Sequence, residues 1–179
     1  MPGPNSRRSG GANPLIRAAL DFLRKNRKRK GGPNRMSGSS LRHQQRGEVK
    51  WDRREGAYRG SGYHHRPGGN DYPGRRIAQP ESRHTNGVYE ARPEFQNPKP
   101  PPPFVPKKNG TVNTFFPDDW SPQKVDKATT EAFKNGRKFI DDQGVPRWEG
   151  VYDGVKIKGG WDPDTGKIGH GYPARVADQ

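Results

Sequence analysis

Five histidines, at positions 43, 64, 65, 84 and 170 of 179 residues, carry most of the neutral-pH chemistry this chain can offer. Two imidazoles, a cation and a tyrosine suffice to cleave RNA without a metal. One imidazole removes the 2′-hydroxyl proton, the oxygen attacks the adjacent phosphate, and a second imidazole protonates the departing 5′-oxygen. A Lys, an Arg or backbone N–H groups must offset the charge that builds on the phosphorane. DNA lacks the hydroxyl and escapes such chemistry. Other mechanisms are poorly served. The absence of Cys removes thiol nucleophiles and thiolate metal sites, and no His pair has helical i, i+4 spacing. The chain has no Walker-type loop, no Gly-x-Ser-x-Gly elbow and no His-Glu-x-x-His, so neither metal nor cofactor is expected. His64 and His65 are adjacent, and in a strand they point to opposite faces, so at most one serves a given site. Composition alone favours five surface histidines on a Gly-rich chain.

The elements that must position these residues are unevenly spread. Residues 1–90 hold 20 basic and 7 acidic side chains, and residues 91–179 hold 14 and 12. The positive field is therefore early, and it favours a polyanion such as nucleic acid. Leu, Ile, Val and Phe number only 25, of which 16 lie after residue 90. That is too few for one core filled along the whole length, and no apolar run approaches the ~20 residues of a membrane span.

Residues 1–12 read as a flexible leader without the apolar run of a signal peptide. Asn13-Pro14 opens a short helix with Leu15, Ile16, Ala19, Phe22 and Leu23 on one face, ending in the basic run Arg24–Lys30. Short strands are expected at Val49–Trp51, Ser61–His64 and Val88–Ala91. Pro98 to Pro106 reads as a stiff connection of the kind that links domains. Ser121-Pro122 caps a helix with Val125, Ala128, Ala132 and Phe133 buried, and Gly136 ends it. Strands at Trp148–Tyr152 and Val155–Trp161 meet at Asp153-Gly154, a strong hairpin signal, and a third strand follows at Lys167–Tyr172. The expected class is α+β, a small antiparallel sheet with packed helices.

Several blocks occur in a telling order. Arg42-His43, Gly47-Glu48-Val49 and Gly62-Tyr63-His64 resemble the His … Gly-Glu-(Ile/Val) … Gly-(Phe/Tyr)-His signature of bacterial EndoU-type ribonuclease toxin domains. Asn86-Gly87-Val88-Tyr89, Thr114-Phe115-Phe116-Pro117-Asp118-Asp119-Trp120-Ser121 and Asp153-Gly154-Val155-Lys156-Ile157 continue it. Lys167-Ile168-Gly169-His170-Gly171-Tyr172-Pro173 is similar to the family's closing Ile-x-(Thr/Ser)-Ala-(Tyr/Phe)-Pro. The likeness runs from about residue 42 to 173.

The resemblance implies a fold shared with barnase- and RelE-like toxins, with residues 1–40 a flexible basic leader and residues 41–179 the ribonuclease toxin domain. It implies metal-independent RNA cleavage leaving a 2′,3′-cyclic phosphate. His43 and His64 would be the acid/base pair, and Tyr172 would lie beside the scissile nucleotide. His170 stands where the family has Thr or Ser and joins the catalytic set. The family's Lys has no unambiguous counterpart, and Arg59, His65 and Arg66 are the expected substrate-binding candidates near its place. Gln44-Gln45 follow His43 where an apolar residue is usual. The resemblance further implies a monomer secreted or delivered by a secretion system, acting in the target-cell cytoplasm, restrained by a cognate immunity protein and making no membrane contact. A non-catalytic basic nucleic-acid-binding module and a DNase toxin are the alternatives.

Overall fold

The computed structural model describes residues 13–179; the leader expected over 1–12 lies outside the described residues. Helix α1 (Pro14–Lys25) begins as expected, with the Asn13 side chain accepting from the Leu15 N–H at 2.9 Å and Pro14 in the first turn. Its apolar face is not spare. Ile16, Ala19 and Leu23 join the main core, whereas Leu15 is 53% exposed. The loop that follows is also docked. Arg29 grips the Asp126 carboxylate at 2.8 and 2.9 Å and donates to the Met36 carbonyl, and the Met36 side chain is fully buried. From residue 13 on, then, the segment expected as a flexible leader is folded onto the rest. A strongly amphipathic helix has to cover its apolar stripe somewhere.

Helix α2 (Gly38–Gln45) has no counterpart in the sequence reading. Its one large aliphatic residue, Leu41, leaves no periodicity to detect, and only the Ser37 cap, accepting from Ser40 N–H, marks its start. A hairpin follows, β1 (Glu48–Asp52) against β2 (Ala57–Ser61). The strand expected to reach His64 stops at Ser61, because Gly62 and Tyr63 both adopt positive φ, 73° and 72°.

Six short strands come next: β3 (Arg75–Ile77), β4 (Ser82–Arg83), β5 (Tyr89–Ala91), β6 (Pro93–Gln96), β7 (Phe104–Pro106) and β8 (Asn113–Phe115). They form two antiparallel sheets, ordered β3-β6-β7 and β4-β5-β8. The proline-rich stretch therefore does not link domains. It returns the chain as edge strand β7, where a missing N–H is tolerated, and Val105 packs in the core.

Helix α3 (Pro122–Asn135) is capped by Ser121 and buries Val125, Ala128, Ala132 and Phe133 as its spacing requires. Four strands complete the chain: β9 (Arg137–Ile140), β10 (Pro146–Tyr152), β11 (Val155–Gly160) and β12 (Tyr172–Pro173). They lie in the order β12-β11-β10-β9, with Asp153 and Gly154 at the turn in positive φ, 47° and 74°. The third strand expected from Lys167 shrinks to Tyr172–Pro173; the chain before it loops out, pinned by a bridge between Trp161 and Ile168. Strand β9 went unforeseen. Along β10 and β11, Trp148, Val155 and Ile157 are fully buried, with α3 packed against both strands. The architecture is α+β with small antiparallel sheets, and no described helix is long and apolar enough to cross a membrane.

Candidate active site

Three distant parts of the chain meet at a cleft of about 460 Å³, within the usual range for ligand sites. Helix α2 supplies His43, the turn after β2 supplies His64, and the C-terminal loop supplies His170 and Tyr172. Lys107, Lys158 and Arg175 complete the charged lining.

The first wall holds His43 and His64. The His43 Nδ1 lies 2.9 Å from the Glu48 Oε1, so a carboxylate fixes the ring and leaves Nε2 for the cleft. Burial pushes the Glu48 carboxyl up, but hydrogen bonds and charge from His43 and Lys50 more than offset it, holding it below the ordinary range. His64 is backed differently. Its Nδ1 donates to the Thr114 carbonyl at 2.7 Å, which sets the tautomer with the lone pair on Nε2. Burial pushes this imidazole down to about 3, against the pull of the Thr114 carbonyl, and the charges of Lys107, His43 and His170 add to the fall. The two histidines are held close by the backbone. Tyr63 N–H donates to the His43 carbonyl at 3.0 Å and His64 N–H to the Gln44 carbonyl at 2.7 Å. A Cβ on Gly62 would strike the His43 carbonyl, so glycine is required there by both φ and contact.

The second wall is a loop held by side chains. Trp148 Nε1 donates to the carbonyls of Gly160 and His170, each at 3.1 Å. Buried Gln44 donates to the Gly171 carbonyl at 2.9 Å and to Thr129 at 2.7 Å, tying the helix of His43 to the loop of His170. Thr114 Oγ1 donates to the Pro173 carbonyl at 2.7 Å. Tyr172 stacks on both neighbouring imidazoles, with centroids 5.3 Å from His64 and 5.7 Å from His170. The His170 ring rests over Gly160, where a Cβ would stand 2.8 Å from Cε1. Burial, and then the charges of His43 and Arg147, push His170 down to about 4.

The expected substrate-binding residues are not brought to the cleft. His65 is fully buried, with Nε2 bonded to the Trp120 carbonyl at 2.8 Å, and burial pushes it down to about 4. Arg66 pairs with Asp71 at 2.8 Å and donates to the Tyr89 hydroxyl, and Arg59 is spent on Glu55 and the Tyr58 carbonyl. The turn at 62–63 aims His64 one way and its neighbour into the core. The cations that do line the cleft are Lys107, Lys158 and Arg175. Arg175 pairs with Glu90 at 3.0 Å, and burial holds Lys107 below its ordinary value. Strand alternation carried a signal for Lys158, which pairs directly with Tyr172. Nothing in the sequence pointed to Lys107, which lies just beyond β7. Among the described residues, no three His, Cys, Asp or Glu gather as metal ligands.

A family model described as bacterial EndoU nuclease matches residues 38–175, beginning at the first residue of α2 and ending two beyond β12. No curated protein and no solved structure matches the chain.

Proposed function

The chain belongs to the bacterial EndoU nuclease family, and from that membership we propose that this nuclease is an endoribonuclease cleaving RNA by metal-independent transesterification. The observation that carries the reading is the unlike backing of two imidazoles at one cleft. His64, buried and neutral with Nε2 free, is the base that takes the 2′-hydroxyl proton. His43, its Nδ1 held by the Glu48 carboxylate and its Nε2 left for the cleft, protonates the 5′-oxygen. The 2′-oxygen bonds to phosphorus as the bond to the 5′-oxygen breaks, leaving a 2′,3′-cyclic phosphate and a free 5′-hydroxyl. Lys107 and Lys158 offset the phosphorane's added charge. Tyr172 and His170 hold the nucleoside.

The rest of the proposal is that this is a toxin used between bacteria. It is secreted or delivered by a secretion system, acts as a monomer in the target-cell cytoplasm and is restrained by a cognate immunity protein. The net charge of +15 suits a polyanionic substrate.

Incubation with RNA and with DNA, each with and without EDTA, tests the reaction. Cleaved RNA in EDTA with cyclic phosphate ends and intact DNA is the expected result. Metal-dependent DNA cleavage, or RNA binding without cleavage, overturns it.

A further inference from the structure

The sheet that the second-wall loop joins through β12 does not end at the cleft. Residues paired across β12-β11-β10-β9 put Tyr172 beside Lys158, Lys158 beside Glu149, and Glu149 beside Arg137 on one face. Phe139 and Arg147 pair on that same face, and Trp148 and Ile157 point the other way into the core. A depression of about 270 Å³ runs there, lined by Tyr172, Lys158, Arg147, Asp141, Glu149 and Phe139. It shares Lys158 and Tyr172 with the main cleft, so the two adjoin at those side chains.

The chemistry along this face is that of single-stranded nucleic acid binding, where aromatic rings take bases and cations follow the backbone. Phe139 is half-buried on an edge strand, and among the described residues no other ring packs on it. The Arg137 guanidinium lies over one face of the ring, 4.4 Å from its centroid, steadied by Glu149 at 2.9 Å. Asp141 accepts from the Gln143 and Val145 N–H groups and, of the Arg147 guanidinium, from Nε alone at 3.0 Å, leaving the terminal amino groups without a partner among the described residues. Lys158 has no carboxylate partner among them either. The two carboxylates on this face are thus each occupied by an arginine, and Lys158 and the Arg147 terminus are left for phosphate.

We propose that the outward face of β12-β11-β10-β9 is a platform for the RNA strand leaving the cleft. It seats the nucleotide next to the one cleaved with its base on Phe139 and its phosphate between Lys158 and Arg147. Three strand spacings, roughly 14 Å, separate β12 from β9, so the platform reaches beyond one nucleotide. The proposal rests on the reading of the cleft as an RNA site, and its test separates the two.

Binding of the full chain is measured to a nucleoside 3′-monophosphate and to non-cleavable 2′-O-methyl tetranucleotides, in uridine and adenosine series. Phe139→Ala weakens tetranucleotide binding about tenfold, in line with the loss of one base stack. It changes monophosphate binding less than twofold, and Phe139→Trp restores the tetranucleotide. The platform is overturned if the wild type binds tetranucleotide no more tightly than monophosphate. Equal effects of Phe139→Ala on both ligands, or no effect on either, overturn it as well. An active ribonuclease with no Phe139 response loses the platform alone. A protein that cleaves no RNA yet keeps these binding differences loses the catalytic reading and keeps the platform.

Discussion

The two walls of the cleft are built by different means. The first wall, from α2 through the turn at 62–64, has main-chain bonds running directly between the segments of its two histidines, with Asn113 and Arg75 bracing the carbonyls of the same stretch. Its histidines sit on segments that bond main chain to main chain, and a positive-φ glycine lets them approach. The second wall, the stretch from Gly169 to Pro173, has main-chain ties of its own to Gly160 and β11. Its link to the first wall and to α3's side of the core is made by side chains reaching for carbonyls: Trp148, Gln44, Ser40 and Thr114. The difference separates two tasks. Proton transfer needs imidazoles whose backing and tautomer do not vary, and backbone pairing supplies that. Nucleotide holding tolerates a loop whose ties can be altered one side chain at a time.

Breaking the first wall at its chemistry has the largest expected effect. His64→Gln keeps a donor for the Thr114 carbonyl but cannot accept a proton, and RNA cleavage falls ~10²–10⁴-fold with RNA affinity retained. Single-turnover rates beside a binding isotherm check this; full activity in the variant would move the base elsewhere. Glu48→Gln keeps a side chain beside His43 but removes its charge. Cleavage drops about 10–100-fold, with melting temperature changed little because the pair is partly exposed.

The second wall breaks more gently. Gln44→Leu removes the tie from α2 to the Gly171 carbonyl and Thr129. About 1–3 kcal/mol of stability is lost in denaturant titration because buried partners are left unpaired. A larger effect on KM than on kcat is expected if this wall serves nucleotide holding; the reverse would assign it to the chemistry.

The smallest effect separates His64 from His65. His64, His65 and His170 all titrate below the ordinary imidazole value in the folded protein. Below pH 6.5 the unfolded chain takes up protons that the folded one refuses, so stability present above that pH is lost as pH falls toward about 4 for His65 and His170 and about 3 for His64. His65→Asn reduces this acid loss in urea titrations at pH 7.5 and 5, and changes cleavage less than threefold. A large loss of cleavage would return His65 to the site.

Local rules read directly from the chain include the Asn13 and Ser121 caps, the α3 stripe and the Asp153-Gly154 hairpin. Each depends on residues a few positions apart, and each is present in the structure. The collinear blocks marked the family and named His43, His64, His170 and Tyr172, which the fold brings to one cleft. Helix α2 escaped notice because the seven polar and small residues around Leu41 carry no period. Strand β9 and the return of the proline stretch as β7 depend on partners contributed from elsewhere in the chain. The cations were settled only in three dimensions. Arg59, His65 and Arg66 are near His64 in sequence, yet Gly62 and Tyr63 in positive φ turn the chain so that nearness does not become contact. Lys107 and Lys158 are far from His64 in sequence and share its cleft. Proximity along a chain specifies caps and turns, because those bonds close within a few residues. Charge at a site is assembled by packing, which the sequence near any one residue does not encode.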